Sequence, residues 1–326
     1  MDLSIIIINW NSAKYLRKCL RSIYLHTKNI RFEIIVLDNA SYDGCGEMLA
    51  REFREVKFIQ SKENLGFARG NNLAAMHSGG EALLFLNPDT EIAAPVFPLL
   101  LDSLRSLPRA GVVGARLLNG DGSVQTSCLQ TFPTITNQLL DAELLRKFLP
   151  NSPIWGMMPL LDGTDAPKSI EGISGACLMT SREVFQKAGG FTEDYFMYYE
   201  DMDYCLKVRN LGRDNYFVPN AVVTHHGGKS SSSATHSRFS VLTGVDSAWK
   251  FFRIHRGVHY AELFRIGVTA KAISRLFLLI AALMAPVSGS RRRHMKGAVD
   301  KWSHVLEWCF AAGASKRQTL SRQRIR

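Results

Sequence analysis

The sequence predicts a doubly wound, mostly parallel α/β sheet flanked by helices, followed by a helical tail rich in basic and apolar residues. Strand-like and helix-like patterns alternate four times up to Leu86. Polar clusters directly follow three of the strand-like runs, at the edge where ligands of such sheets bind. Charge divides the chain as well. Residues 250–326 carry 16 Lys/Arg against three acids (Glu262, Asp300, Glu307), which leaves 24 bases and 26 acids before them, so a body of −2 precedes a tail of +13.

Leu3-Ser-Ile-Ile-Ile-Ile-Asn9 is continuously apolar and β-branched, as a strand buried on both faces is. It stops at Asn9-Trp10-Asn11-Ser12. Ser12 is placed to cap a helix whose apolar positions Leu16, Cys19, Leu20 and Ile23 keep helical spacing. Glu33 to Leu37 is a second buried strand, ending at Asp38-Asn39-Ala40-Ser41. A strand-like run from Val56 to Ile59 precedes Asn64-Leu-Gly-Phe-Ala-Arg-Gly-Asn-Asn72 and a short helix to about Ser78, after which Ala82 to Leu86 gives the next strand. Pro88 forces Asn87 towards an extended conformation and so aims Asp89.

Composition excludes several classes. With 46% hydrophobic and 21% charged residues the chain is globular. The six cysteines form no CxxC pair, so neither a zinc site nor a disulfide framework is indicated, and a reducing cytoplasm is expected. Asp2 in place of a basic region and the short run Ile5 to Ile8 do not make a signal peptide. Gly44-Cys-Gly46 lacks the third glycine of a dinucleotide turn, and no GxxxxGK[ST] loop occurs. Asp38 is placed to hydrogen-bond a base or ribose, and Asp89 to hold a hard divalent cation that contacts phosphates. Either aspartate alone reads equally well as a turn or cap residue.

In Phe196-Met-Tyr-Tyr-Glu-Asp-Met-Asp-Tyr-Cys-Leu206 three carboxylates, Glu200, Asp201 and Asp203, open a helix whose dipole stabilises negative charge. Ordinary helix-start acids would look the same.

Taken together, Ile8-Asn-Trp-Asn11, Val36-Leu-Asp-Asn-Ala-Ser41, Asn64 to Asn72, Leu86-Asn-Pro-Asp-Thr90, Gly172-Ile-Ser-Gly-Ala176, Tyr199-Glu-Asp-Met-Asp203 and His225-His-Gly-Gly-Lys-Ser230 give the chain a resemblance to inverting family 2 glycosyltransferases of the GT-A fold. Within that family they resemble the rhamnosyltransferase-like branch of bacterial cell-surface polysaccharide synthesis. The resemblance spans residues 3–230. It implies a nucleotide-sugar donor, dTDP-rhamnose being one such donor, and a lipid-linked or polysaccharide acceptor. By it Asp38 reads the base, and Asn9, Asn11, Asn39, Asn64, Gly66, Arg69, Asn71, Asn87 and Gly175 line the donor site. Asp89 takes the place of the last aspartate of the family's DxD motif, where it would hold Mg²⁺ or Mn²⁺ with His225 as a further ligand. Asn87 departs from the first acidic position. Asp201 is the implied base, with Glu200 and Asp203 orienting neighbours or the acceptor. The chemistry agrees, since a leaving diphosphate needs its charge neutralised and an attacking hydroxyl must lose a proton.

The expected organisation is a transferase domain over 1–235, with its nucleotide-sugar half at 1–115 and its acceptor half at 116–235, and a helical tail over 236–326. Residues 116–170 read as a variable excursion, Ser181 to Ala188 as a short helix capped by Ser181, and Ser230 to Ser233 with Ala234 and Thr235 as a linker. Leu276 to Val287 is an apolar run of twelve residues, too short to span a bilayer, flanked by Lys271, Arg275 and Arg291 to Arg293. That pattern suits a peripheral helix on the anionic inner face of the cytoplasmic membrane. Packing on the domain or in an oligomer is the alternative. The slightly acidic body carries no nucleic-acid motif, so no nucleic acid is expected as partner. An inactive sugar- or nucleotide-binding scaffold of the same fold is the remaining alternative.

Overall fold

The computed structural model describes residues 1–128, 130–140, 165–227, 234–285 and 288–311. The chain divides into two compact units, Met1–Phe132 with Glu143–Ser230, and Pro133–Ala142 with Ser231–Arg326.

In the first unit the elements run β1 (Leu3–Asn9), α1 (Ala13–His26), β2 (Phe32–Asp38), α2 (Cys45–Glu52), β3 (Lys57–Gln60), α3 (Gly66–Met76), β4 (Ala82–Leu86), β5 (Thr90–Ile92), α4 (Val96–Ser106) and β6 (Ala110–Leu118). After α5 (Ile135–Leu139), which belongs to the second unit, come β7 (Lys168–Ile170), β8 (Cys177–Ser181), α6 (Arg182–Lys187), α7 (Glu200–Asn210) and β9 (Asp214–His225). Among the described residues these strands form one sheet of order β3-β2-β1-β4-β8-β6-β9-β5, with β7 pairing β9. The first four strands in that order are parallel, and the inner three, β2, β1 and β4, carry the unbroken apolar runs of strands buried on both faces, while β3 is the exposed edge. All seven residues of β1 and all five of β4 are buried. The second half is mixed, with β8 antiparallel to β4 and β6 and β5 antiparallel to β9. α1 covers the sheet with Leu16, Cys19, Leu20 and Ile23, each buried apolar side chain contributing about 1.5–3 kcal/mol.

Register decides where polar groups meet. Asn9 pairs with Asp38 and Asp38 with Gln60, so the carboxyl ends of β1, β2 and β3 are level. At the far side Thr90 pairs with His225.

One cap differs from expectation. Ser12 donates to the Trp10 carbonyl at 2.9 Å, and the first amide of α1, Ala13, is capped by Asp43 Oδ2 at 2.8 Å. The reversal at Asn11, with φ of 51°, turns Ser12 away from its own helix. Ser181 does cap α6, accepting from the Val184 amide at 3.1 Å. The six cysteines are free and buried.

The second unit is helical: α5, α8 (Ala234–Arg256), α9 (Val258–Met284) and α10 (Gly289–Phe310). A buried stripe of Ala261, Phe264, Val268 and Ala272 fixes one face of α9. Trp308 of α10 donates to the buried Asp246 carboxylate at 3.1 Å, which also pairs with Lys250 at 2.9 Å. The apolar run starting at Leu276 is only the end of α9, whose 27 residues are about 40 Å long at 1.5 Å each. By length and composition that helix could cross a membrane, which corrects the twelve-residue limit. The sequence hid this because Arg265 and Lys271 break the apolar pattern. Their side chains reach the carbonyls of Cys309 and Gln138. Pro286, Val287 and Ser230 to Ser233 lie outside the described residues, as do residues 129 and 141–164 of the expected excursion, whereas Ala234 and Thr235, expected as linker, open α8.

Candidate active site

At the carboxyl ends of β1 and β2 the Asp38 carboxylate is buried and heavily hydrogen-bonded. It accepts from Asn9 Nδ2 at 2.7 Å, Gln60 Nε2 at 2.8 Å, the Ser41 hydroxyl, and the amides of Ser41 and Tyr42 at 3.2 and 3.3 Å. Burial pushes its pKa up, but these donors outweigh burial and hold the carboxyl below its ordinary value, so it is an anion at neutral pH. Asn39 then ties β2 to the start of α3. Its amide donates to Asn64 Oδ1 at 2.8 Å and the Gly66 carbonyl at 3.2 Å, and it accepts from the Leu65 amide at 2.7 Å.

The second centre lies where β5 and β9 pair. Asp89 Oδ1 stands 3.3 Å from His225 Nε2, and Asn87 Nδ2 lies 3.1 Å from the same nitrogen. Gln125, which the sequence reading passed over, settles the histidine tautomer. Its Nε2 donates to the His225 carbonyl at 2.6 Å, and a carbonyl can only accept, so the other Gln125 atom, 2.9 Å from Nδ1, is the oxygen. Nδ1 therefore carries the proton and Nε2 offers its lone pair beside the Asp89 carboxylate. A hard oxygen and an imidazole lone pair converging at this distance, with the ring held from behind, fit a divalent cation such as Mn²⁺ or Mg²⁺. A second cluster, Asp38, Asp43 and Cys45, has ligand atoms within 4.8 Å of one another. It fits a metal poorly. The Asp43 oxygens already accept from Asn9 and the Ala13 and Cys45 amides, and burial pushes the Cys45 thiol up to about 12.

The third centre is the first turn of α7. Asp201 is half-buried and accepts from the Gly175 amide at 2.9 Å and the Met202 amide at 2.8 Å. Burial raises its pKa despite these amides, the opposite direction to that expected from the helix start alone. A carboxylate so raised is a better proton acceptor. Glu200 is buried, and burial with the neighbouring Asp201 charge pushes its carboxyl well above the ordinary range. Asp203 is fully buried and structural in its contacts, accepting from Thr192 Oγ1 at 2.6 Å and the Tyr195 hydroxyl at 3.4 Å and pairing with Lys207 at 3.5 Å.

Short bonds join the three centres. The Asn87 amide donates to the Ala176 carbonyl at 3.0 Å, next to the Gly175 amide that holds Asp201. The Phe67 amide at the start of α3 donates to the Phe196 carbonyl at 2.7 Å. Gly66, with φ of 76°, is required there, since a Cβ would collide with that carbonyl. Gly175 likewise faces the Phe67 ring and the Asp201 Cβ.

Three candidates lie apart from this constellation. Asn71 is buried with its amide on the Phe67 carbonyl, and Arg69 is half-exposed between Glu63 and Glu193, each at 3.8 Å. Asn11 is exposed in the left-handed turn after β1. Besides Gln125, one contact was not legible in the sequence: Asn72, the last residue of the segment expected to line the donor site, pairs through its side chain with both backbone polar groups of Phe191 at 2.8 and 2.9 Å. A Gln beside the strand-like Val124, or an Asn closing a motif, carries no such signal by itself.

Comparison with known proteins gives the family and the fold. The sequence model of the family described as Glycosyl transferase family 2 matches residues 4–189. The chain is 29% identical over 269 residues to the N-acetylglucosaminyl-diphospho-decaprenol L-rhamnosyltransferase of Mycobacterium tuberculosis, covering 76% of this chain and 86% of that one. To the rhamnosyltransferase WbbL of Escherichia coli it is 22% identical over 236 residues, covering 68% of this chain and 82% of that one. Among solved structures, the mannosyltransferase PcManGT of Pyrobaculum calidifontis, in complex with GDP-Man and Mn²⁺, superposes with a TM-score of 0.55 at 17% identity, covering 98% of this chain and 84% of that one. That likeness establishes the fold.

Proposed function

The chain belongs to glycosyl transferase family 2, and on that premise we propose that it moves a rhamnosyl group from a nucleoside-diphosphate donor to a hydroxyl of a lipid-linked sugar. The single observation that carries this reading is the Asp89–His225 pair, 3.3 Å apart with its tautomer set by Gln125 and tied to the Asp201 carboxylate through the Asn87–Ala176 and Gly175–Asp201 hydrogen bonds. The rhamnosyl and lipid-linked classes are carried over from the Mycobacterium relative, whose acceptor is a sugar diphosphate on a polyprenyl chain.

In this reading Asp38, oriented by Asn9, Ser41 and Gln60, accepts hydrogen bonds from the donor base or ribose. Asp89 and His225 hold Mn²⁺ or Mg²⁺, which when bound neutralises charge on the diphosphate. Gly175 orients Asp201 through its amide. Asp201 takes the proton of the acceptor hydroxyl as that oxygen bonds to the sugar C1, and the C1–O bond breaks with its electron pair leaving on the diphosphate. A single displacement of this kind inverts the anomeric centre. The transferase machinery then occupies 1–235. The exposed Phe277, Leu278, Ile280 and Met284 of α9, with Arg291 to Arg293 and Lys296 on α10, support peripheral attachment of the tail to the cytoplasmic face of an anionic membrane.

The test is a calorimetric panel of nucleotide sugars with and without Mn²⁺. Metal-dependent binding of dTDP-rhamnose supports the reading. Donor binding that ignores both the metal and an Asp89→Ala substitution would refute the metal assignment.

A further inference from the structure

Asp38 has more donors than it needs. Asn9 Nδ2 and the Ser41 hydroxyl donate to its Oδ1, and the Ser41 and Tyr42 amides and Gln60 Nε2 donate to its Oδ2, five donors on a carboxylate with about four lone pairs. Without Gln60 the remaining four would still fill it. The carboxylate does not depend on this glutamine, and the bond serves instead to fix the glutamine. Gln60 Nε2 stands 2.8 Å from Asp38 Oδ2 and 3.0 Å from the Ser61 carbonyl. Both oxygens can only accept, so the nitrogen and its two hydrogens are committed there and Oε1 is the atom left over. Among the described residues Oε1 accepts no hydrogen bond, and the side chain is exposed. The backbone holds the residue as well, since Gln60 pairs with Asp38 in the β2–β3 ladder and the Ser61 amide donates to the Asp38 carbonyl at 2.9 Å. An oriented, solvent-facing acceptor thus stands beside the carboxylate, at the level carboxyl ends of β1, β2 and β3.

We propose that Gln60 selects the base of the nucleotide donor, its Oε1 accepting from a ring N–H of the kind that thymine, uracil and guanine carry and rejecting the ring-nitrogen lone pair that cytosine and adenine present instead. An N–H that meets Asp38 must share an oxygen with a resident donor, whereas at Gln60 it finds an unshared one. A ring lone pair brought to the same place faces acceptors only and loses its water without gaining a donor. The inference rests on the reading that the donor base lies at Asp38, and it adds the class of base and the residue that chooses it.

Calorimetry on the full chain with Mn²⁺ tests it through two matched pairs, dUDP against dCDP and dGDP against dADP. Within each pair the deoxyribose, diphosphate and metal contacts are the same, so the ratio of affinities reports the base, and the tighter of dUDP and dGDP tells pyrimidine from purine. Wild type should favour the N–H member of its preferred pair about tenfold or more. Gln60→Met keeps the length of the side chain and leaves Asp38 filled, and should bring that ratio within about threefold. Gln60→Lys still reaches Asp38 but offers donors only, and should reverse the ratio in favour of dCDP or dADP. Inorganic pyrophosphate with Mn²⁺ should bind both variants as it binds wild type. Equal weakening of pyrophosphate and nucleotides would make Gln60 structural and overturn the inference, as would a wild-type ratio within about twofold in both pairs. If Asp38→Ala leaves nucleotide affinity and ratio unchanged, the placing of the base at this centre falls and the inference with it. If Asp38→Ala weakens binding while Gln60→Met and Gln60→Lys keep the wild-type ratio, that placing stands and the inference alone is overturned.

Discussion

Replacing Gln125 with methionine keeps the volume of the side chain and removes both of its contacts with His225, the 2.9 Å bond to Nδ1 and the 2.6 Å bond to the carbonyl. In the native site these bonds place the imidazole proton on Nδ1 and leave the Nε2 lone pair, which accepts from Asn87 Nδ2, beside Asp89. Without them either tautomer is accessible and the ring can rotate about its side-chain torsions. Hydrogen-bond partners behind a metal-binding histidine typically govern a 10–100-fold change in metal affinity, which is about 1.4–2.7 kcal/mol. Two net hydrogen bonds of about 0.5–1.5 kcal/mol each bracket the same range. Titration calorimetry of Mn²⁺ into protein saturated with a nucleoside diphosphate measures the loss directly. Gln125→Glu keeps an acceptor for Nδ1 and should bind Mn²⁺ at least as well as Gln125→Met does. A methionine variant whose Mn²⁺ affinity stays within twofold of wild type would refute the tautomer reasoning, and a His225→Ala variant with unchanged affinity would remove the ligand itself.

Three further outcomes follow from the same structure. Because burial raises the Asp201 pKa and the base works ionised, kcat/KM should climb with pH along a limb lying above the ordinary aspartate value of about 3.9; a limb at or below that value contradicts the burial argument. The same shift makes ionisation oppose folding, so this contribution to stability is present at pH below the unfolded value and lost as pH rises through the raised one, a loss that Asp201→Asn should abolish in pH-dependent melting. Gly66→Ala, which places a side chain at φ of 76° against the Phe196 carbonyl, should cost about 2–5 kcal/mol, and an unshifted denaturation midpoint would show that the loop is not clamped there. For the tail, full-length protein should float with anionic liposomes and the double substitution Phe277→Glu, Ile280→Glu should not; equal flotation of both places the attachment elsewhere.

The parallel half of the sheet was legible because burial on both faces leaves unbroken apolar runs, such as Ile5 to Ile8 and Ala82 to Leu86. β5, β7 and β8 escaped notice because strands of three to five residues carry too little pattern to separate from loop. The clustering at the candidate site was legible wherever a polar residue ends or follows a strand, as with Asn9, Asp38, Asn87 and Asp89. It was opaque wherever a contact joins distant positions, since Gln125 meets His225 100 residues away and Asn72 meets Phe191 119 residues away. Ser12 shows the limit of local rules. It has the right residue type for a cap, yet Asp43 caps α1 from 30 residues away.

The most direct test of the central claim is the transfer reaction itself, followed by product NMR for wild type and Asp201→Asn. Wild type with Mn²⁺ should yield a glycoside of inverted anomeric configuration, and Asp201→Asn should lose about 100-fold or more in rate while binding the donor almost as tightly. Retention of configuration, or a variant rate above about a tenth of wild type, would contradict single displacement with Asp201 as base.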